Sequence, residues 1–220
     1  MEGTTSPEIK PSQRPLLTGE EIARLIDSKL FKESIKRLHD KLEKLEEPFE
    51  AGFIVFMDSE TKDVSIVEEK VMSINSLEQD DETRKEIDKQ LEEENVPVID
   101  FHFHPPTIGG YHMVDSFIPS IADLQRVHPE ESKNGPIGII GVMKGNGNID
   151  MLFFKEVKYQ LGSKVLRDQL DKDLFECGTV QEGMKILSES GYESAFGEFS
   201  LKQGLSEPLR EQVRNLSVAS

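Results

Sequence analysis

The sequence predicts an α+β fold, with a central mixed β-sheet flanked by helices and a helical C-terminal extension. Three observations support this. Apolar runs of strand length, at 52–57, 98–103, 136–143 and 149–154, are separated by polar segments. Leucine and isoleucine recur at helical spacing before the first run, and a polar, glycine-broken helical pattern follows the last. Short apolar runs bounded by turn signals read as buried strands, and a 3.6-residue period reads as an amphipathic helix.

Taken in order, residues 1–17 carry Pro7, Pro11 and Pro15 among Ser, Thr and charge, and read as a disordered tail. Thr18-Gly19-Glu20-Glu21 has the spacing of a capping box, which satisfies free amides at a helix start. One long helix should follow, because Ile22, Leu25, Ile26, Leu30, Ile35, Leu38, Leu42 and Leu45 share a face up to Pro48. The run 52–57, a polar turn over 58–63 and Val64-Ser65-Ile66-Val67 form a hairpin whose first strand is buried. Residues 78–95, with Ile87 and Leu91 four apart, predict a surface helix. Its carboxylates are interleaved with Arg84, Lys85 and Lys89, as on a solvated face. The runs 136–143 and 149–154 are strands joined by a glycine-rich turn at 144–148. Beyond Val157, Val165, Leu166, Leu170 and Leu174 suggest a helix laid on the domain or on a partner, and the stretch after Gly204 reads as loosely held. The chain thus divides into a tail (1–17), a domain (18–156) and a helical extension (157–220).

The 220 residues are 36% hydrophobic and 31% charged, ordinary for a solvated globular surface. No apolar stretch approaches the ~20 residues that cross a bilayer, and no signal-peptide core is visible, so a cytoplasmic location is expected. Cys177 is the sole cysteine, which excludes an intramolecular disulfide and a Cys-rich zinc site. A formal charge of -16 argues against nucleic acid as the main partner. A neutral or basic macromolecule fits better.

The chemistry is concentrated in Val98-Ile99-Asp100-Phe101-His102-Phe103-His104-Pro105 and Pro119-Ser120-Ile121-Ala122-Asp123-Leu124. His102 and His104 are two apart at the end of a strand and so share one face. Asp123, at the next helix start, would complete a two-histidine, one-carboxylate set with a fourth position open, the arrangement of catalytic rather than structural zinc. Zinc held this way keeps enough positive charge to acidify a water. Ser120, three residues before Asp123, lies on the same side of a first helical turn and also reads as an N-cap.

Together with Glu50-Ala51-Gly52 before the first strand, these segments resemble the JAMM (JAB/MPN+) zinc metalloprotease family, over about residues 20–156. The family pattern is a glutamate before a Gly-led strand, then H-x-H-P, then S-x-x-D. The resemblance implies a JAB/MPN-like, cytidine-deaminase-like fold, with His102, His104 and Asp123 as zinc ligands, Glu50 as acid/base and Ser120 as oxyanion donor. It further implies hydrolysis of a peptide or isopeptide bond in a conjugate of ubiquitin or a ubiquitin-like modifier. The connection from His104 to Ser120 is longer than is usual in the family and contains Gly109, Gly110, Tyr111, His112 and Asp115. Asp115 is the alternative to Asp123, and Glu47 the alternative to Glu50. Phe103 replaces a small polar residue, and its side chain should pack on the face opposite the histidines. His112 reads as an exposed loop residue rather than a fourth ligand, and His39 and His128 receive no role.

Two other readings compete. A non-catalytic scaffold version of the same fold would tend to lose its ligands, whereas here the set is complete. Asp100-Phe101-His102-Phe103-His104 also looks like the opening motif of amidohydrolase barrels, but those need about 250 residues and further ligands. A zinc deaminase would require H-x-E and P-C-x-x-C elements, which are absent.

Overall fold

A computed structural model describes residues 17–44, 50–69, 80–104, 117–127, 135–144, 147–158 and 164–216. Among them seven strands form one mixed sheet in the order β2-β1-β3-β4-β5-β6-β7. These are β1 (Ala51–Asp58), β2 (Val64–Glu68), β3 (Asn95–Phe103), β4 (Ile137–Met143), β5 (Asn148–Glu156), β6 (Tyr192–Ser200) and β7 (Gly204–Leu205). Seven helices accompany them: α1 (Gly19–Ile26), α2 (Lys29–Leu42), α3 (Asp81–Glu92), α4 (Ile121–Arg126), α5 (Lys164–Glu176), α6 (Val180–Glu189) and α7 (Glu207–Arg214). None of the described helices is long and apolar enough to cross a membrane.

The predicted hairpins form: β1 pairs antiparallel with β2, and β4 with β5. Only β3 and β4 run parallel. A parallel pair needs a crossover between its strands, and α4 lies in it. The chain therefore leaves the carboxyl end of β3 and returns through a helix before re-entering the sheet. That places a strand end and a helix start in one neighbourhood.

The sheet is covered on both faces. Phe53, Val55, Ile99, Phe101, Phe103, Ile139, Met151 and Phe153 belong to one core with Ile22, Ile26, Phe31 and Ile35 of α1 and α2 and Leu209 and Val213 of α7. Ile140, Val142, Leu152 and Phe154, alternating with those positions, belong to a second core with Leu124 of α4, Leu170 and Leu174 of α5 and Leu187 of α6. This is the period-2 alternation of strand side chains.

Two expectations need correction. The single N-terminal helix is two, α1 and α2, broken at Asp27 and Ser28. Ser28 caps α2, and the Asp27 carboxylate accepts the Leu205 amide at 2.9 Å and the Arg210 guanidinium at 2.7 Å. The break is thus made by a contact 178 residues away in sequence, which helical periodicity does not report. The capping box at Thr18 and Glu21 is present as expected.

The C-terminal region is not a purely helical extension. β6 pairs with β5 along its whole length, and α7, in the stretch expected to be loosely held, buries Leu209 and Val213 in the first core. The buried positions Tyr192, Ala195 and Phe199 are spaced three and four apart, which mimics a helix. The reason is that both faces of β6 are covered, so strict alternation is lost. Gly197 lets α7 approach: a Cβ there would meet the Leu209 Cβ at 2.9 Å. Of the 1–17 tail, all but Leu17 lies outside the described residues.

Candidate metal centre

Along β3, Ile99, Phe101 and Phe103 point into the first core, whereas Asp100, His102 and, one residue past the strand, His104 face the other way. Phe103 stacks edge-on against Phe101, 4.9 Å between ring centres, away from the histidines as expected. In the β1–β3 register Gly52 lies opposite His102. A Cβ at Gly52 would approach the Phe101 carbonyl oxygen to 2.6 Å and the His102 Cβ to 2.9 Å, so this position requires glycine. Extending the register by one residue from the Ala51–Phe103 pair brings Glu50 opposite His104.

Asp123 comes from the first turn of α4. The Ser120 amide and hydroxyl both donate to Asp123 Oδ2, at 2.7 and 2.8 Å, while the Asp123 amide donates to Ser120 Oγ at 3.3 Å. This reciprocal cap orients the carboxylate toward β3. His102 Nε2 lies 3.1 Å from Asp123 Oδ1, His104 Nε2 lies 3.6 Å from Oδ2, and the two Nε2 atoms are 3.0 Å apart. Ligand atoms on a tetrahedral ion with bonds of about 2.0–2.1 Å lie about 3.3 Å from one another. The observed separations straddle that value. His102, His104 and Asp123 thus form a buried group able to hold a metal ion.

The electrostatics agree with the packing. Burial opposes ionisation of Asp123, but the charges and hydrogen bonds of His102 and His104 hold its carboxyl well below the usual range. Burial likewise penalises the His102 imidazolium, yet the Asp123 and Asp100 carboxylates raise its pKa above the ordinary value. Desolvation raises the half-buried Glu50 carboxyl, against the opposing influence of His104 and His102. Glu50 is therefore electrostatically part of this site.

Behind His102 lies a network that the sequence reading missed. Arg126 Nε donates to Asp100 Oδ2 at 2.8 Å, and its Nη2 donates to Asp100 Oδ1 at 3.0 Å and to Glu69 Oε2 at 2.7 Å. Burial opposes the guanidinium charge, but these two carboxylates hold its pKa above its ordinary value. Two signals were available: Asp100 is two residues before His102 on a strand, and Arg126 three after Asp123 on a helix. Nothing local marks Glu69. Its amide bonds the Gly52 carbonyl at 2.9 Å, and only the β1–β2 pairing brings it here.

The structure therefore brings together Glu50, His102, His104, Ser120 and Asp123. The alternatives Glu47 and Asp115, together with His112, His128 and residues 105–116 of the long connection, lie outside the described residues. Ser120 uses its hydroxyl proton on Asp123, so an oxyanion role requires that proton to turn away. One other described group could hold an ion, His39, Asp40 and Glu43 of α2. Asp40 and Glu43 are solvent-exposed on a single helix, where carboxylates need no cation. Comparisons with protein-family models, characterised proteins and solved structures find no match for this chain.

Proposed function

We propose that this protein is a zinc-dependent hydrolase of the JAMM (JAB/MPN+) type, cleaving peptide or isopeptide bonds in conjugates of ubiquitin or a ubiquitin-like modifier. The observation that carries the reading is the convergence of His102, His104 and Asp123 in a buried group with Glu50 beside it. Asp123 is buried against both histidines, where a cation would offset carboxylate charge taken out of water. Nitrogen and oxygen donors in this number suit zinc.

A bound zinc would supply Lewis acidity toward water and a substrate carbonyl. The chain's own groups do the rest. Glu50 takes a proton from the attacking water and returns it to the leaving nitrogen, a task suited to a carboxyl whose pKa is raised toward neutrality. Ser120 holds Asp123 in place through its hydroxyl and amide. The described sheet, with one parallel pair among seven strands, is unlike the eight-stranded parallel barrel of the amidohydrolase reading.

Metal analysis of the purified chain, paired with cleavage of a ubiquitin-like fusion, tests this. About one zinc per chain is expected. His104→Ala should lose zinc and cleavage together, and Glu50→Gln should keep zinc and lose cleavage by about 100-fold or more. Metal-free wild type that folds normally would instead favour the scaffold reading.

A further inference from the structure

His102 is flanked by Asp123 of α4 on one side and by Asp100 of its own strand on the other. Its Nε2 faces Asp123 at 3.1 Å. Its Nδ1 is buried without a hydrogen-bond partner, and Asp100 Oδ1 lies 4.0 Å from it. Asp100 is fixed by the two-pronged contact with Arg126, which Glu69 braces through the same Nη2. Arg126 and Asp123 are one helical turn apart on α4, so one short helix supplies a proposed ligand and the arginine that orients Asp100.

An imidazole can ligate a cation through Nε2 only if its proton resides on Nδ1, and that proton then needs an acceptor. We propose that Asp100, oriented by Arg126 and Glu69, is the positioning residue for His102, accepting the Nδ1 proton and so presenting Nε2 to the metal. This rests on the metal reading above. The 4.0 Å separation is longer than a hydrogen bond, and a ring shift of about 1 Å closes it. The contact also explains why a charged cluster sits under a strand end: it couples the strand carrying both histidines to the helix carrying the aspartate.

Zinc affinity of the full chain, measured by competition with a chelating dye, tests the assignment alongside thermal unfolding of chelator-treated protein. Asp100→Ala should weaken zinc about 10–100-fold. Asp100→Asn, which keeps an acceptor oxygen, should recover part of that loss. Asp27→Asn breaks the ion pair with Arg210 of α7, in the layer on the other face of the sheet, and should lower the unfolding temperature while leaving zinc affinity nearly unchanged. Equal affinity losses in Asp100→Ala and Asp27→Asn would reduce Asp100 to a structural role and overturn the proposal. A measurement independent of variant folding is the nitrogen-15 spectrum of zinc-loaded wild type. A His102 proton on Nδ1 supports the assignment, and one on Nε2 overturns it. Wild type that takes up no zinc sinks the metal reading and this inference together, whereas zinc bound equally well by Asp100→Ala sinks this inference alone.

Discussion

The two faces of β3 are made from alternate residues of one nine-residue strand, yet they solve opposite problems. On one, Phe101 packs between Phe53 and Phe103, with ring centres 4.9 Å away in each case, and Phe31 closes the cluster at 5.9 Å. On the other, Asp100, His102 and His104 meet Asp123 and Arg126 through hydrogen bonds and ion pairs. The apolar face gains stability from area removed from water. The polar face takes charges out of water, which contributes little net stability however well they are paired. Rigidity and chemistry are thus divided between the two faces of one strand. The aromatic layer holds the strand still, and the facing layer carries the charged groups.

The largest effect should come from breaking the apolar face. Phe101→Ala should destabilise the protein by about 3–5 kcal/mol in urea unfolding, with zinc stoichiometry unchanged below the transition. Loss of zinc at full foldedness would show that the two faces are not separable. Gly52→Ala comes next. Its methyl would press on the Phe101 carbonyl and His102 Cβ, so about 1–3 kcal/mol of overpacking cost is expected. Unlike Phe101→Ala, it should also weaken zinc binding, since His102 must yield; unchanged affinity would refute the idea that the Gly52 contact with the His102 Cβ sets the position of that side chain.

The smallest effect is a gain. Burial raises the Glu50 carboxyl above 4.5, so below that pH it is neutral in folded and unfolded chains and costs nothing. As pH rises, the unfolded chain ionises more readily, and the folded state loses stability until the raised value is passed. Glu50→Gln should therefore raise the unfolding temperature of chelator-treated protein at pH 7, with the gain gone by pH 4. A loss at pH 7 would mean that Glu50 is held by compensating contacts.

Much of the site could be read without coordinates, because its signals are local. His102 and His104 share a face by strand period, and Ser120 and Asp123 by helical turn. The same locality explains the failures. Helical spacing continues across Asp27 and Ser28 although the helix breaks there, since the cause is Leu205 and Arg210. β6 hides because burial on both faces erases alternation.

Residue type and local period settle, without coordinates, which atoms could ligate and which strand and helix would carry them. That β3 and α4 meet, that Gly52 leaves room for His102, and that Glu69, Asp100 and Arg126 share charge behind it follow from long-range packing instead. Those contacts join residues as far apart as 57 positions, and the free energy that selects them comes from burying both sheet faces at once.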